Sequence, residues 1–266
     1  MTAILLVGCG KMGRAMLDGW FERGIAASAI TVVEPSDAAR AALAGDVAVV
    51  ADADALAIDY RPAIVIFAVK PQGMAEIVPG YRRFADAVFL SIAAGKPLAF
   101  FAGHLGGAAA IVRAMPNTPA AVRRGITVAC ASAAVTTAQR TLCHDLLDAV
   151  GAVEWIGDEG LMDAVTAVSG SGPAYVFLLV EALAAAGVEA GLPEGLAVRL
   201  ARTTVYGAGE LVRQSPDTAA VLRRNVTSPG GTTAAALEVL MGDDGLPSLM
   251  QRAVLAAARR SRELAG

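Results

Sequence analysis

The chain opens with a short apolar run, Ala3–Val7, which ends in Gly8-Cys9-Gly10-Lys11-Met12-Gly13 and continues as an amphipathic segment to Arg23. Strand, G-x-G-x-x-G and helix in that order form the first βα turn of a dinucleotide-binding fold. Each glycine has a separate task. Gly8 makes the tight turn, Gly10 admits a pyrophosphate to the backbone, and Gly13 lets the helix lie against the strand. A glycine-rich turn in some other α/β fold would carry the same glycines. The flanking strand and helix favour dinucleotide binding, with Gly8, Gly10, Lys11, Met12 and Gly13 as cofactor contacts.

The runs that follow fit a doubly wound sheet. Ile30–Val33, Val47–Val50, Ala63–Val69, Val88–Ile92, Ala109–Val112 and Ile126–Ala131 read as short strands. The all-apolar ones suit strands buried on both faces. Thr137–Val150 reads as a helix and Ala152–Trp155 as a last strand. Ligands of such sheets lie at the carboxyl ends of the strands. Those ends carry Glu34-Pro35-Ser36, Ala68-Val69-Lys70-Pro71, Ala93-Ala94-Gly95 and a stiff loop with two prolines around Asn117-Thr118. Glu34, roughly twenty residues beyond the glycine loop, can accept from the adenosine ribose and repel a 2′-phosphate. Ser36, and Arg40 one turn into the next helix, could instead favour that phosphate. The signals for NADH and NADPH therefore conflict. Lys70 is either a cofactor or substrate contact or a solvated loop lysine. The small residues at Ala93 and Ala94 leave room for a flat ring.

From Gly157 onward strand signals stop. Asp163–Val168, Gly170–Ala190, Glu194–Gln214, a segment opening at Ser215-Pro216-Asp217, a helix to Met241 and a last one over Leu246–Leu264 are expected. The predicted architecture is α/β: an N-terminal Rossmann-type doubly wound sheet over residues 1–156, then an all-helical C-terminal dimerisation domain over residues 157–266. Hydrophobic residues make up 55% of the chain and aromatics only 5%, and the excess is mostly alanine, which suits close helix packing. Small-residue pairs such as Ala184–Ala186 and Gly207–Gly209 point the same way. A small helical domain with few aromatics often completes its core against a second copy, so a homodimer at least is expected.

A net charge of −3 argues against a nucleic-acid surface. Cys9, Cys130 and Cys143 show no metal or disulfide spacing, as expected of a reduced cytoplasmic protein, and His104 and His144 match no ligand motif, so no metal is expected. No signal peptide is read at the start. Ala174–Val188, the longest apolar helix candidate, contains Glu181 and reads as too short to span a bilayer, so no membrane partner is expected.

One more stretch stands out: Asn225-Val226-Thr227-Ser228-Pro229-Gly230-Gly231-Thr232-Thr233. A helix opening at Gly-Gly-Thr-Thr presents free N–H groups and hydroxyls at its positive end, a site for a carboxylate or phosphate. A plain capped loop has the same composition.

Five stretches together resemble the pyrroline-5-carboxylate reductase family. They are the glycine loop Gly8–Gly13, Val69-Lys70-Pro71, Arg113-Ala114-Met115-Pro116-Asn117-Thr118-Pro119, the run from Asp163 through Ser169-Gly170-Ser171-Gly172-Pro173 to Tyr175, and Val226–Thr233. The resemblance implies reduction of the cyclic imine 1-pyrroline-5-carboxylate to L-proline by NADPH or NADH. It implies that Ser228, Gly230, Gly231, Thr232 and Thr233 hold the substrate. The backbone of Gly230–Thr233 would take the carboxylate, and the catalytic Thr233 hydroxyl would reach the ring nitrogen. It implies that Ala68, Val69, Lys70, Pro71, Ala93 and Ala94 line the cofactor and that Asn225 contacts the cofactor of a neighbouring subunit. An interlocked dimer, often assembled into a decamer, is the implied form. Glu34 departs from relatives that prefer NADPH, which often carry small hydroxyl residues there.

Other two-domain reductases are less consistent with the residues. The β-hydroxyacid dehydrogenases use a lysine on the first long helix of the second domain, and here no lysine follows Lys96. A coenzyme F420-dependent reductase does not account for Ser228–Thr233. A non-catalytic dinucleotide sensor would not need that loop.

Overall fold

A computed structural model describes residues 2–265. The chain forms two compact units. One runs to Gly170 and takes in the chain from Ala258 on; the other is Ser171–Ala257. The strands end at Trp155, whereas the dividing point between the units lies later, at Gly170 and Ser171.

The first unit is built on one sheet of eight strands in the order β3-β2-β1-β4-β5-β6-β7-β8. They are β1 (Ile4–Val7), β2 (Ile30–Val33), β3 (Ala48–Val50), β4 (Ile64–Phe67), β5 (Val88–Ser91), β6 (Ile111–Met115), β7 (Gly125–Ala131) and β8 (Gly151–Trp155). The first six are parallel. The helices of this unit are α1 (Lys11–Glu22), α2 (Asp37–Leu43), α3 (Met74–Ile77), α4 (Leu98–Leu105), α5 (Thr137–Asp148) and α6 (Met162–Val165).

The pleat sends alternate side chains of each strand to opposite faces, and both faces are covered. Ile4 and Leu6 of β1 enter a core with Met16, Leu17 and Trp20 of α1 and Leu146 of α5. Leu5 and Val7 enter another with Met74 of α3 and Phe101 of α4, where the Phe67 ring packs between Phe89 and Phe101. Burial on both faces is why these strands read as continuous apolar runs. The indole N–H of Trp20 donates to the Leu146 carbonyl at 2.9 Å, so even this fully buried ring leaves no polar atom unpaired.

The sheet departs from pure doubly wound topology at its far edge, where β7 runs antiparallel to β6 and β8 parallel to β7. The connection over 116–124 is too short for a parallel crossover, which takes about a dozen residues or more. Instead it turns through the 3-10 segment Thr118–Val122 and ends at Arg123 in the left-handed region. Thr136 and Gln139 form a capping box that starts α5 and leads the chain back to β8.

After α6 the chain passes through a π turn, Thr166–Gly170, where a single α-helix over Asp163–Val168 is expected from the sequence. The hydroxyls of Thr166 and Ser169 donate to the carbonyls of Met162 and Val165, and such side-chain competition favours a local irregularity. The second unit then holds α7 (Gly172–Glu189), α8 (Glu194–Gln214), α9 (Ala219–Asn225), α10 (Thr232–Leu240) and α11 (Leu246–Ala265), the last running on into the first unit.

Two expectations need correction here. The helix read as opening at Ser215-Pro216-Asp217 starts instead at Ala219. Thr218 is its cap and accepts from the Val221 amide, while the Ser215 hydroxyl accepts from Asp217 in a separate turn. A Cβ on Gly207 or Gly209 would meet nothing within 4 Å in this chain, so both positions stand open, and the close approach within the chain lies at Gly187 against Ala197. The apolar segment is also longer than read: the helical turns over Glu159–Glu189 run together and are long and apolar enough to cross a membrane by length and composition.

Gly125 and Gly151 pair at the start of β7 and β8. Gly151 has φ +141°, and a Cβ there would stand 2.0 Å from the Gly125 carbonyl oxygen. Both strain and overlap fall on backbone atoms that cannot swing away. Gly151→Ala is expected to destabilise the chain by about 3 kcal/mol or more, read as a lowered midpoint in urea. An unchanged midpoint would mean that the two backbones do not touch.

Candidate active site

The carboxyl edge of β2, β1, β4 and β5 gathers most of the residues singled out from the sequence. Consecutive main-chain bonds hold the edge in register: Gly8 N to Val33 O, Glu34 N to Val50 O, Ala68 N to Val7 O and Ile92 N to Phe67 O, each between 2.8 and 3.1 Å. The order around β1 reverses at this point, since β2 leaves on one side and β4 on the other. That reversal is the crevice of a doubly wound sheet.

The glycines of the loop answer to measurable space. Gly8 has φ +85°, and a Cβ on it would lie 2.5 Å from a Val69 methyl. A Cβ on Gly13 would lie 2.7 Å from the Gly8 carbonyl oxygen. Gly10, the N-cap of α1, meets nothing within 4 Å, so its backbone is open to a ligand. The cradle fits a pyrophosphate, with bare backbone at the mouth and the first turn of a twelve-residue helix behind it. Lys11 is exposed in that first turn and Met12 is half-buried. Burial pushes the Cys9 thiol up to about 11, so it stays neutral near pH 7 and adds no charge opposing an anion.

Glu34 is fixed by two amides. One carboxylate oxygen accepts from Cys9 N at 3.0 Å and the other from Ser36 N at 3.1 Å. The glycine loop and the end of β2 are thereby tied together. Val69 and Lys70 follow β4, with Val69 half-buried and Lys70 exposed, and Pro71 opens a short 3-10 turn. Ala93 is buried after β5, where its amide bonds the Ser91 hydroxyl, and Ala94 is half-buried.

In the second unit, Asn225 ends α9 and is exposed. The loop then folds on itself: the Thr227 hydroxyl donates to Arg223 O at 2.7 Å, and Gly231 N donates to Ser228 O at 3.1 Å. Gly230 takes φ +68°, and a Cβ on Gly231 would collide with the Ser228 hydroxyl at 2.6 Å. Gly231 caps α10 without any side-chain cap bond. The first i→i−4 bond of this helix is Ala235 N to Gly231 O, so the N–H groups of Thr232, Thr233 and Ala234 have no acceptor within the helix. Thr233 is half-buried among them.

Two features escaped the sequence. Beside Gly8, Pro35 and Val69 lies a cavity of about 290 Å³ that also takes in Asp52, Asp54 and Glu76. The end of β3 could have signalled the two aspartates, because it belongs to the same edge. The second feature is an ion pair: the buried Arg113 of β6 meets the half-buried Glu159 at 2.8 Å, and the same carboxylate oxygen accepts from Leu98 N at the start of α4. Next to it the Asn117 amide donates to Ser169 O and accepts from Ile126 N, which pins the π turn to β7.

The helical region also shows what it lacks. None of the eighteen residues of α7 is buried, although Val176, Phe177, Leu178, Leu179 and Leu183 lie on it. A groove of about 470 Å³ runs between Leu178 and Leu179 of α7 and Leu249 and Met250 of α11. Apolar surface on this scale marks an interface.

Comparison with known proteins agrees with both halves. Residues 159–264 match the family described as pyrroline-5-carboxylate reductase dimerisation, and residues 3–95 match NADP oxidoreductase coenzyme F420-dependent. The pyrroline-5-carboxylate reductase of Pseudomonas aeruginosa is 40% identical over 98% of this chain and 96% of its own length. The structure of a pyrroline-5-carboxylate reductase from Coxiella burnetii superimposes with a TM-score of 0.93 at 34% identity, covering 100% of this chain and 99% of that one. The Plasmodium falciparum pyrroline carboxylate reductase, solved with NADP bound, gives 0.84 at 28% identity, covering 100% and 98%. With this identity maintained from end to end, the chain belongs to the pyrroline-5-carboxylate reductase family.

Proposed function

We propose that the chain reduces 1-pyrroline-5-carboxylate to L-proline with NADH or NADPH, in the cytoplasm, as a homodimer joined through its helical region. The observation that carries the reading is the presence in one chain of two complete anion cradles. The glycine-lined edge of β1, β2, β4 and β5 suits a dinucleotide, and the start of α10 suits a small carboxylate. The exposed apolar faces of α7 and α11 support the dimer. Assembly of dimers into a decamer is the larger form implied by the family resemblance.

Each residue then has a task. The backbone of Gly10 and the first turn of α1, with Lys11 and Met12, hold the pyrophosphate, and Glu34 takes the adenosine ribose. Ala68–Pro71 and Ala93–Ala94 line the rest of the cofactor, and Asn225 reaches the cofactor of the neighbouring subunit. A bound nicotinamide supplies the hydride. Ser228, Gly230 and Gly231 shape the loop, and the N–H groups of Thr232 and Thr233 hold the substrate carboxylate. A threonine hydroxyl is a poor general acid, but a protonated iminium already carries its proton. The Thr233 hydroxyl accepts from that N–H and fixes the ring, so the protein acts chiefly by orientation.

The reading is tested by the loss of reduced-nicotinamide absorbance on adding racemic pyrroline-5-carboxylate; cofactor binding without turnover would instead mark a sensor. Thr233→Ala is expected to lower kcat by about a hundredfold, the scale for losing one positioned hydrogen bond, with little change in cofactor affinity. Wild-type turnover at saturating substrate would remove Thr233 from this role. Sedimentation at micromolar concentration is expected to show a dimer or larger species. A folded single chain would contradict the interface assigned to α7 and α11.

A further inference from the structure

We propose that Arg40 acts as a positioning residue that locks the Glu34 turn, and that this lock makes the chain select a dinucleotide with a free adenosine 2′-hydroxyl over one with a 2′-phosphate. The inference rests on the reading of the β1–β2–β4 edge as the dinucleotide site and adds the discrimination between the two cofactors.

A guanidinium on the first turn after β2 is a natural counter-ion for a 2′-phosphate. Here it is already committed. One terminal nitrogen of Arg40 donates to the carbonyls of Glu34 at 2.9 Å and Pro35 at 2.8 Å, and the other is paired with the Asp37 carboxylate. These contacts take three of its five N–H groups, including both on one terminal nitrogen, and turning the fork to face a phosphate would break them. The Ser36 amide, a second donor such a phosphate could use, is spent on the Glu34 carboxylate.

Glu34 is held as firmly. Its carboxylate accepts from Cys9 N and Ser36 N, and its own amide is bonded to Val50 O. Swinging it aside to admit a phosphate gives up two charge-assisted hydrogen bonds. Accepting a ribose hydroxyl gives up none, because each carboxylate oxygen has a further lone pair.

The adjoining cavity adds an independent observation. Asp52, Asp54 and Glu76 line it, and no lysine or arginine is among its lining residues. Asp52 is itself fixed, with one oxygen accepting from the amides of Asp54 and Ala55 at 3.0 Å. A phosphate carrying nearly two negative charges at this edge would face Glu34 together with the carboxylates that line the adjoining cavity.

The test is calorimetric titration of NADH and of NADPH into the full chain without substrate. The wild type is expected to bind NADH about tenfold tighter or more, the scale of one lost hydrogen bond to a charged group. Arg40→Ala should narrow that gap by about fivefold, although it removes a positive charge, because the released turn lets Glu34 move. Arg40→Lys keeps a long side chain whose ammonium can donate to the two carbonyls and should hold the gap within about twofold; it also serves if Arg40→Ala does not fold. If either substitution instead widens the gap by weakening NADPH, Arg40 is a phosphate ligand and the proposal falls. An unchanged gap in Arg40→Ala also overturns it. Glu34→Ser separates the two levels of the argument: it should bring NADPH to parity or better. An unchanged gap there would sink the assignment of this edge to the adenosine ribose and leave no site for the lock to act on.

Discussion

Two close approaches of backbone set the rest of the first unit. At Gly8 the chain leaves β1 with so little clearance from Val69 that a methyl group would overlap it, and at Gly13 the first turn of α1 rests on the Gly8 carbonyl. A side chain at Gly8 would push the loop away from Val69, and one at Gly13 would lift the first turn of α1 off that loop. With both bare, α1 lies down far enough for Met16, Leu17 and Trp20 to be fully buried against β1 and β4. The same contact leaves the start of α1 facing the gap between the diverging strands. Packing and anion binding therefore have one cause: the helix can seat only where its N–H groups also face a ligand.

That edge is balanced electrostatically by a carboxylate inside it. The Cys9 amide points at Glu34 from within the glycine loop, so part of the loop's donor capacity is spent on the protein's own charge. The arrangement favours hydroxyls over further anions beside β2 and leaves Gly10 open for the pyrophosphate. The second unit shows the complementary design. Its loop bonds back to the end of α9 through the carbonyls of Arg223 and Arg224 and to itself at Ser228, which leaves the first turn of α10 for a guest.

Much of this was legible because the physics is local. Parallel strands buried on both faces must be continuously apolar, so β1, β2 and β4 stand out within the chain. The glycine loop and the Gly-Gly-Thr-Thr helix start are contiguous and carry their own geometry. What was not legible depends on distant partners or on competition between near neighbours. Arg113 and Glu159 are far apart in sequence, and neither residue type announces which partner it meets. The direction of β7 follows from the length of one connection, not from its composition. Thr218 displaced Ser215 as the cap of α9 although both are good caps. Arg40 read as a candidate phosphate ligand because nothing in its own residue type shows that two carbonyls and Asp37 already hold it.

The central claim is that the chain carries out a hydride transfer to carbon and is more than a dinucleotide receptor with a vestigial loop. The most direct measurement uses nicotinamide cofactor dideuterated at C4 with racemic pyrroline-5-carboxylate in ordinary water, followed by mass analysis of the product. The account predicts proline carrying one deuterium at the former imine carbon and formed in step with cofactor oxidation. Cofactor that binds but stays reduced, or proline without the label, would contradict it.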